Sequence, residues 1–160
     1  MTISVGDRVP STTLHHMTSD GPAEISSDEL FGDKTVVLFA LPGAFTPTCS
    51  AKHVPGYVAT ADALKVKGVD TIVCLSVNDA FVMGAWGEDR GVGDKVMMMA
   101  DGSADFTRAA GLDLDLSERG FGVRSQRYSM LVRDGVVAAL HIEAPGAFEV
   151  SDANTMLGDL

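Results

Sequence analysis

The sequence predicts an α/β domain built on a mixed central sheet with helices on both faces. Two apolar, β-branched runs, Val36–Leu41 and Thr71–Val77, are strand-sized and too continuous to have a wet face, as in the middle of a covered sheet. Between them, apolar residues recur at three- and four-residue spacing, the period of an amphipathic helix. Further on, Asp134–Gly135 separates the strand-like Arg127–Arg133 and Val136–Ile142, a strong hairpin signal that requires one antiparallel pair. With 160 residues and 16.8 kDa the chain is expected to form one domain over residues 1–160, long enough to need no disulfide or metal staple.

Each element follows from local chemistry. A short strand or hairpin precedes Asp20–Pro22, and Ser26 or Ser27 starts a brief helix through Leu30 that stops at Gly32. After the first buried strand comes a turn-rich stretch, Pro42–Pro47. From Thr48 onward Ala51, Val54, Tyr57, Ala61 and Leu64 mark an amphipathic helix ending at Gly68, with a kink expected at Pro55–Gly56 because proline removes a donor. Asn78 and Asp79 offer caps for a helix reaching about Arg90, Val96–Ala100 is a third strand, and a short helix spans roughly Ala104–Ala110. The alternating leucines of residues 112–116 suggest an edge with one wet face. Ser151–Asp152 caps a last helix. This order fits a thioredoxin-like fold. A flavodoxin-like parallel sheet competes, and the hairpin speaks against it.

Composition narrows the function. Apolar residues make up 46% and charged residues 21%, a soluble globular balance, and no apolar run approaches the ~20 residues of a membrane span. The N-terminus shows no signal-peptide pattern. Twelve basic against 22 acidic residues give a net charge of −10, which disfavours nucleic acid and anionic membrane surfaces as partners. Only two cysteines are present, Cys49 and Cys74. They form neither C-x-x-C nor a metal cluster, which excludes a thioredoxin-type disulfide exchange centre and suggests a reducing, cytoplasmic setting. No metal or cofactor is expected.

The chemistry concentrates at residues 41–49, Leu-Pro-Gly-Ala-Phe-Thr-Pro-Thr-Cys. A buried strand runs into a tight loop that opens a helix with Cys49 in its first turn. There a sulfur faces free N–H groups and the positive end of the helix dipole, both of which favour thiolate. Thr46 can cap the helix or hold its hydroxyl beside the sulfur, and Pro42 and Pro47 stiffen the loop. An inert, buried cysteine is the alternative for Cys49.

The string P-x-x-x-T-x-x-C over Pro42, Thr46 and Cys49 resembles the active-site motif of the peroxiredoxins. PGAFTPTCSAKHVPGY, CLSVNDAFVMGAWG and RYSMLVRDG are similar to the type-five subgroup, called type II in plants, across nearly the whole chain. The resemblance implies a peroxidase in which Cys49 is the peroxidatic nucleophile and becomes a sulfenic acid. Thr46 and the N–H groups of Thr48 and Cys49 would bind the peroxide oxygens, Arg127 would stabilise thiolate and transition state, and Pro42 would close the pocket. A surface ion pair is the alternative for Arg127. A homodimer with the loop near its contact is also implied.

Family members related to the animal enzymes carry a resolving cysteine near the C-terminus, where this chain has serine within Pro145–Asp152. Cys74, inside a strand-like run, reads as a buried structural thiol. The sulfenic acid is therefore expected to meet an external thiol, glutathione with glutaredoxin or thioredoxin. A redox sensor or relay passing oxidation from Cys49 to a partner protein is the competing function; a non-catalytic module would have lost Cys49, Thr46 or Arg127.

Other candidates are weaker. His53 is four residues past Cys49 on the same helix face, where it assists the thiolate or bonds a neighbouring backbone. His15–His16 read as a solvated pair and Met97–Met99 as core. Phe45, Phe121 and Trp86 line the pocket, a subunit contact or the core. The glycines at 91–93 and 120–122 do not make a nucleotide fingerprint.

Overall fold

The computed structural model describes all 160 residues. Seven strands form one mixed sheet in the order β2-β1-β5-β4-β3-β8-β9. The parallel centre is β3 (Thr35–Ala40), β4 (Thr71–Ser76) and β5 (Met97–Ala100). Antiparallel strands flank it: β8 (Tyr128–Arg133) pairs with β3 and β9 (Val136–Ile142) with β8, while β1 (Thr13–Thr18) pairs with β5 and β2 (Gly21–Ser26) with β1. The predicted mixed sheet is thus present, and the Asp134–Gly135 hairpin turns with both residues at positive φ, 48° and 75°.

Successive residues of β3 point to opposite faces, so Val37 and Phe39 enter one apolar core and Val36, Leu38 and Ala40 the other. Helices α2 (Val54–Val66), α3 (Ala80–Arg90) and α5 (Ala153–Gly158) cover the first face; α1 (Ser27–Phe31) and α4 (Asp105–Ala109) cover the second. Cys49 and Cys74 lie in the first core, with Trp86, Met98 and Tyr57. Burying one such large side chain contributes roughly 1.5–3 kcal/mol.

The predicted caps hold in part. Ser26 accepts from the N–H of Glu29, Asp79 from Val82 and Asp152 from Thr155. Asn78 does not cap α3. Its Oδ1 instead accepts from the N–H of Ala44 at 3.0 Å and the Ser76 hydroxyl at 2.6 Å, tying the cysteine loop to the end of β4.

Four elements differ from expectation. The N-terminal hairpin does not end before Asp20–Pro22, because β2 begins at Gly21; Pro22 is tolerated on this edge strand, where no further neighbour needs its missing donor. The helix after Thr48 is not one kinked α-helix: a π turn over Cys49–His53, with Val54 N–H bonding the Cys49 carbonyl, precedes α2. The wider turn absorbs the ladder defect that Pro55 imposes, one turn earlier than the proline itself. Residues 112–116 do provide a strand with one wet face, β6 (Asp113–Leu116), but its partner β7 (Gly122–Ser125) is an element that the sequence pattern did not reveal. Arg127 precedes β8 rather than opening it, although its carbonyl still accepts from the N–H of Glu143 at 2.9 Å.

Candidate active site

The loop leaves β3 at Leu41 and is shaped by its own polar groups. Thr46 donates its hydroxyl to the Gly43 carbonyl at 2.8 Å and its N–H to the same oxygen at 3.4 Å. Thr46 therefore neither caps the helix nor bonds the sulfur, since its proton closes the local turn. Phe45 takes a left-handed φ of 64°, a conformation costing roughly 1–2 kcal/mol. Arg124 approaches the loop from β7 and donates to the Pro42 carbonyl at 3.4 Å. A Cβ on Gly43 would lie 2.8 Å from that guanidinium, so a side chain there would displace the tip of Arg124 from the loop.

Cys49 begins the π turn and is 0% exposed. No acceptor in the chain meets the N–H of Thr48 or of Cys49, as expected for the first turn of a helix. The Arg127 Nη2 donates to the Cys49 sulfur at 3.0 Å, and its Nη1 lies 2.8 Å from His53 Nδ1. The surface ion pair considered for Arg127 is not formed; the free arginine of the two neighbours instead holds the loop.

His53 is fully buried among Phe39, Tyr57 and Phe148, whose ring centroids lie 4.9, 5.7 and 5.0 Å away. Its Nε2 is 3.1 Å from the Ser151 carbonyl, which can only accept, so Nε2 carries the proton and Nδ1 offers its lone pair to Arg127. Burial, reinforced by the Arg127 charge, lowers the histidine pKa to about 3. His53 is thus a neutral acceptor that aims the guanidinium. One ring nitrogen bonds the Ser151 backbone and the other meets the arginine that lies on the sulfur.

The Ser151 carbonyl also accepts the Tyr57 hydroxyl at 3.0 Å. Ser151 does not cap α5; its N–H and hydroxyl both bind the Glu143 carboxylate, at 2.9 and 2.7 Å. That carboxylate accepts the N–H groups of Glu149 and Val150 as well. Burial pushes the Glu143 carboxyl up, but the Glu149, Ser151 and Val150 donors together hold it below the usual range. Nothing in the sequence singled out Glu143; an acid eight residues before a serine carries no local signature.

Cys74 sits on β4 opposite Phe39 and Met98. Its thiol is pushed well up by burial and by negative charge at Cys49, with Arg127 opposing. Trp86 is core, bonding the Ser50 hydroxyl at 3.0 Å, whereas Phe45 and Phe121 are half exposed beside the loop. His15 faces Glu24 on the far edge of the sheet, and Met98 and Met99 are core.

A cleft of about 340 Å³ leads to the site, lined by Pro42, Thr48, Leu114, Arg127, Glu143 and the 144–147 loop. Cys49 does not line it, but Arg127, which does, reaches the sulfur. A larger groove of about 840 Å³ between β1, α3 and β5 contains none of these residues.

A strand–loop–helix cysteine with an arginine on its sulfur, set on this mixed sheet, defines a thiol-redox protein of the thioredoxin-like class. Residues 4–157 match the family model for Redoxin. Peroxiredoxin-2E, chloroplastic, of Arabidopsis thaliana is 51% identical over 159 residues, 97% of this chain and 68% of that relative. Peroxiredoxin-2B of the same plant is 47% identical over 97% of this chain and 96% of its own. The crystal structure of reduced Prx3 from Vibrio vulnificus in complex with H2O2 is 52% identical, covers 98% of each chain and superposes with a TM-score of 0.94. The chain belongs to the Redoxin family and, within it, to the peroxiredoxins of the 2/5 type. It is a thiol peroxidase, an oxidoreductase acting on peroxide. No helix is long and apolar enough to cross a membrane.

Proposed function

We propose that this peroxiredoxin reduces hydrogen peroxide and small organic hydroperoxides through a sulfenic acid at Cys49, and that an external thiol regenerates the cysteine. The thiolate attacks one peroxide oxygen; the S–O bond forms, the O–O bond breaks, and the departing alkoxide or hydroxide leaves as alcohol or water after taking a proton. Charge develops on the departing oxygen, so donors already in place lower the barrier. The observation that carries this reading is the Arg127 guanidinium 3.0 Å from the sulfur, held by a neutral histidine. The unpaired N–H groups of Thr48 and Cys49 are further donors. Thr46, whose proton is committed to Gly43, presents oxygen lone pairs to the peroxide O–H. Pro42 shields the sulfur from bulk water. The cleft exceeds the needs of hydrogen peroxide, since one water occupies about 30 Å³ of liquid, and Leu114 and Pro145 suit a small alkyl group.

Arg127→Ala lowers the rate constant for peroxide attack by about 10²–10³-fold, the usual size of losing one preorganised donor to a developing oxyanion. Stopped-flow fluorescence of the reduced protein with peroxide measures it, and a rate within a factor of about three of wild type, ~0.6 kcal/mol, removes the arginine from the mechanism.

The buried, protonated Cys74 thiol is a poor attacker of a sulfenic acid, which supports re-reduction by glutathione with glutaredoxin or by thioredoxin. The incoming thiol forms a mixed disulfide with Cys49 and releases water; a second thiol then frees the cysteine. Cys74→Ser should turn over normally when thiol is supplied. Mass spectrometry after one equivalent of peroxide decides the matter, because a Cys49–Cys74 disulfide formed without added thiol sinks the external-reductant reading. Two free cysteines suit a cytoplasmic setting, and exposed Phe45 and Phe121 beside the loop suit a homodimer contact.

A further inference from the structure

We propose that Glu143 is a positioning residue for peroxide reduction: by clamping the 149–151 segment, it sets the His53 tautomer and so aims Arg127 at Cys49. This inference rests on the peroxidase reading above and adds to it a residue outside the Pro-Thr-Cys-Arg set.

The clamp begins with the sheet. Glu143 follows the last residue of β9, and its N–H pairs with the Arg127 carbonyl at 2.9 Å, so the two residues face each other across the hairpin. The chain then leaves the sheet through the 144–148 loop and returns. On its return the N–H groups of Glu149, Val150 and Ser151 all point at the Glu143 carboxylate, at 2.8, 3.0 and 2.9 Å, and the Ser151 hydroxyl joins them at 2.7 Å. Three consecutive N–H groups on one carboxylate leave the segment little freedom. Glu143 as a residue is only 7% exposed, and four protein donors already occupy its carboxylate.

Two groups of the clamped segment reach the active site. The Ser151 carbonyl meets His53 Nε2 at 3.1 Å, and the Phe148 ring lies 5.0 Å from the His53 ring and 5.9 Å from the Arg127 guanidinium carbon. With the carbonyl in place, the Nδ1 lone pair faces Arg127 Nη1 at 2.8 Å, leaving Nη2 on the sulfur at 3.0 Å. Without it, the histidine can carry its proton on Nδ1, which would confront the guanidinium with a donor and turn it away. Glu143 spends its carboxylate on the 149–151 segment. It acts through Ser151, His53 and Arg127 in that order, a chain of contacts in which each acceptor has one correct orientation.

The test separates aiming from folding. Reduced wild-type and Glu143→Gln proteins are mixed with hydrogen peroxide and, separately, with iodoacetamide, on the alkaline plateau of each pH–rate profile. Iodoacetamide needs the thiolate but develops no charge on an oxygen that Arg127 must meet. The glutamine keeps the side-chain length and one acceptor oxygen but loses the charge. The expected result is a peroxide rate lower by about tenfold with alkylation unchanged, the size of a moderate coupling between contacting residues. Equal changes in both rates, or none in either, overturn the proposal and leave Glu143 a structural residue. Nitrogen-15 NMR of the wild-type histidines needs no variant: protonation of His53 at Nε2 is expected, and an Nδ1–H tautomer overturns the proposal even where Glu143→Gln does not fold. A wild-type peroxide rate no faster than that of an ordinary thiol defeats the peroxidase reading itself, whereas a fast wild type with an unchanged rate ratio in Glu143→Gln defeats only the aiming role.

Discussion

Cys49→Ser abolishes peroxide reduction, by at least about 10⁴-fold in rate, while the protein stays folded. The serine hydroxyl keeps its proton at neutral pH and is a poor nucleophile toward a peroxide oxygen, so the step that breaks the O–O bond has no substitute elsewhere in the chain. Cys74 cannot take over: it lies inside β4 with its thiol pushed up by burial and has no donors arranged around it. The fold survives because the two side chains are nearly isosteric and Arg127 Nη2 can still donate to an oxygen where the sulfur stood. Burying a hydroxyl in that half-apolar site costs on the order of 1–2 kcal/mol, below the stability of an ordinary domain. Peroxide consumption with excess thiol, beside a thermal melt, checks both halves. Residual turnover above a few per cent of wild type places the chemistry on another residue.

Acidification destabilises the fold in a window set by His53. The folded pKa is about 3, whereas an unfolded histidine titrates near 6.5. The unfolded chain therefore binds a proton that the folded chain refuses, and stability falls as pH drops below ~6.5. The His53 contribution is fully present above that value and lost progressively down to about 3. The loss is about 2 kcal/mol between pH 7 and 5, and on the order of 4–5 kcal/mol across the whole window. Glu143 has the same sign lower down: with its folded pKa below the usual carboxylate range, its contribution is present above ~4.3 and disappears as it is protonated. The window between pH 5 and 6.5 thus isolates histidine from carboxylates. Urea denaturation at pH 7, 6 and 5 in wild type and His53→Gln measures it, with the wild type expected to lose stability that the variant keeps. Identical pH dependence in the two proteins shows that His53 does not carry the effect. Folded His53 stays neutral down to about pH 3, so the lone pair that Arg127 uses survives this window and stability falls before the site itself is protonated.

Much of this was legible in the chain because the relevant signals are local. The buried strands announce themselves by β-branched runs, Asp134–Gly135 by its need for positive φ, and Cys49 by its place between a proline-stiffened loop and a helix start. Signals that depend on competition between neighbours were misread. Thr46 has several acceptors within reach, and only the folded loop shows that its proton goes to Gly43. Asn78 and Ser151 look like caps because a capping residue is recognised by type, yet each is captured by a partner far along the chain, Ala44 for Asn78 and Glu143 for Ser151. Pro55 foretells a defect in the helix, but whether the backbone kinks or widens into a π turn is settled by what packs around it.

The two cysteines were separated by sequence context alone: one at a helix start beside threonine, one within an apolar strand. Their reading as candidate nucleophile and core thiol needed no coordinates, because the dipole of a helix end and the dryness of a central strand are properties of short segments. The tertiary structure decided what surrounds the Cys49 sulfur. Arg127, His53, Ser151 and Glu143 span nearly a hundred residues and converge only when β8 and β9 pair and the C-terminal segment folds back onto α2. Hydrogen-bond direction, histidine tautomer and the refusal of a proton at a buried ring are set by distances of a few ångströms between such residues. Sequence spacing does not encode those distances; the packed sheet does.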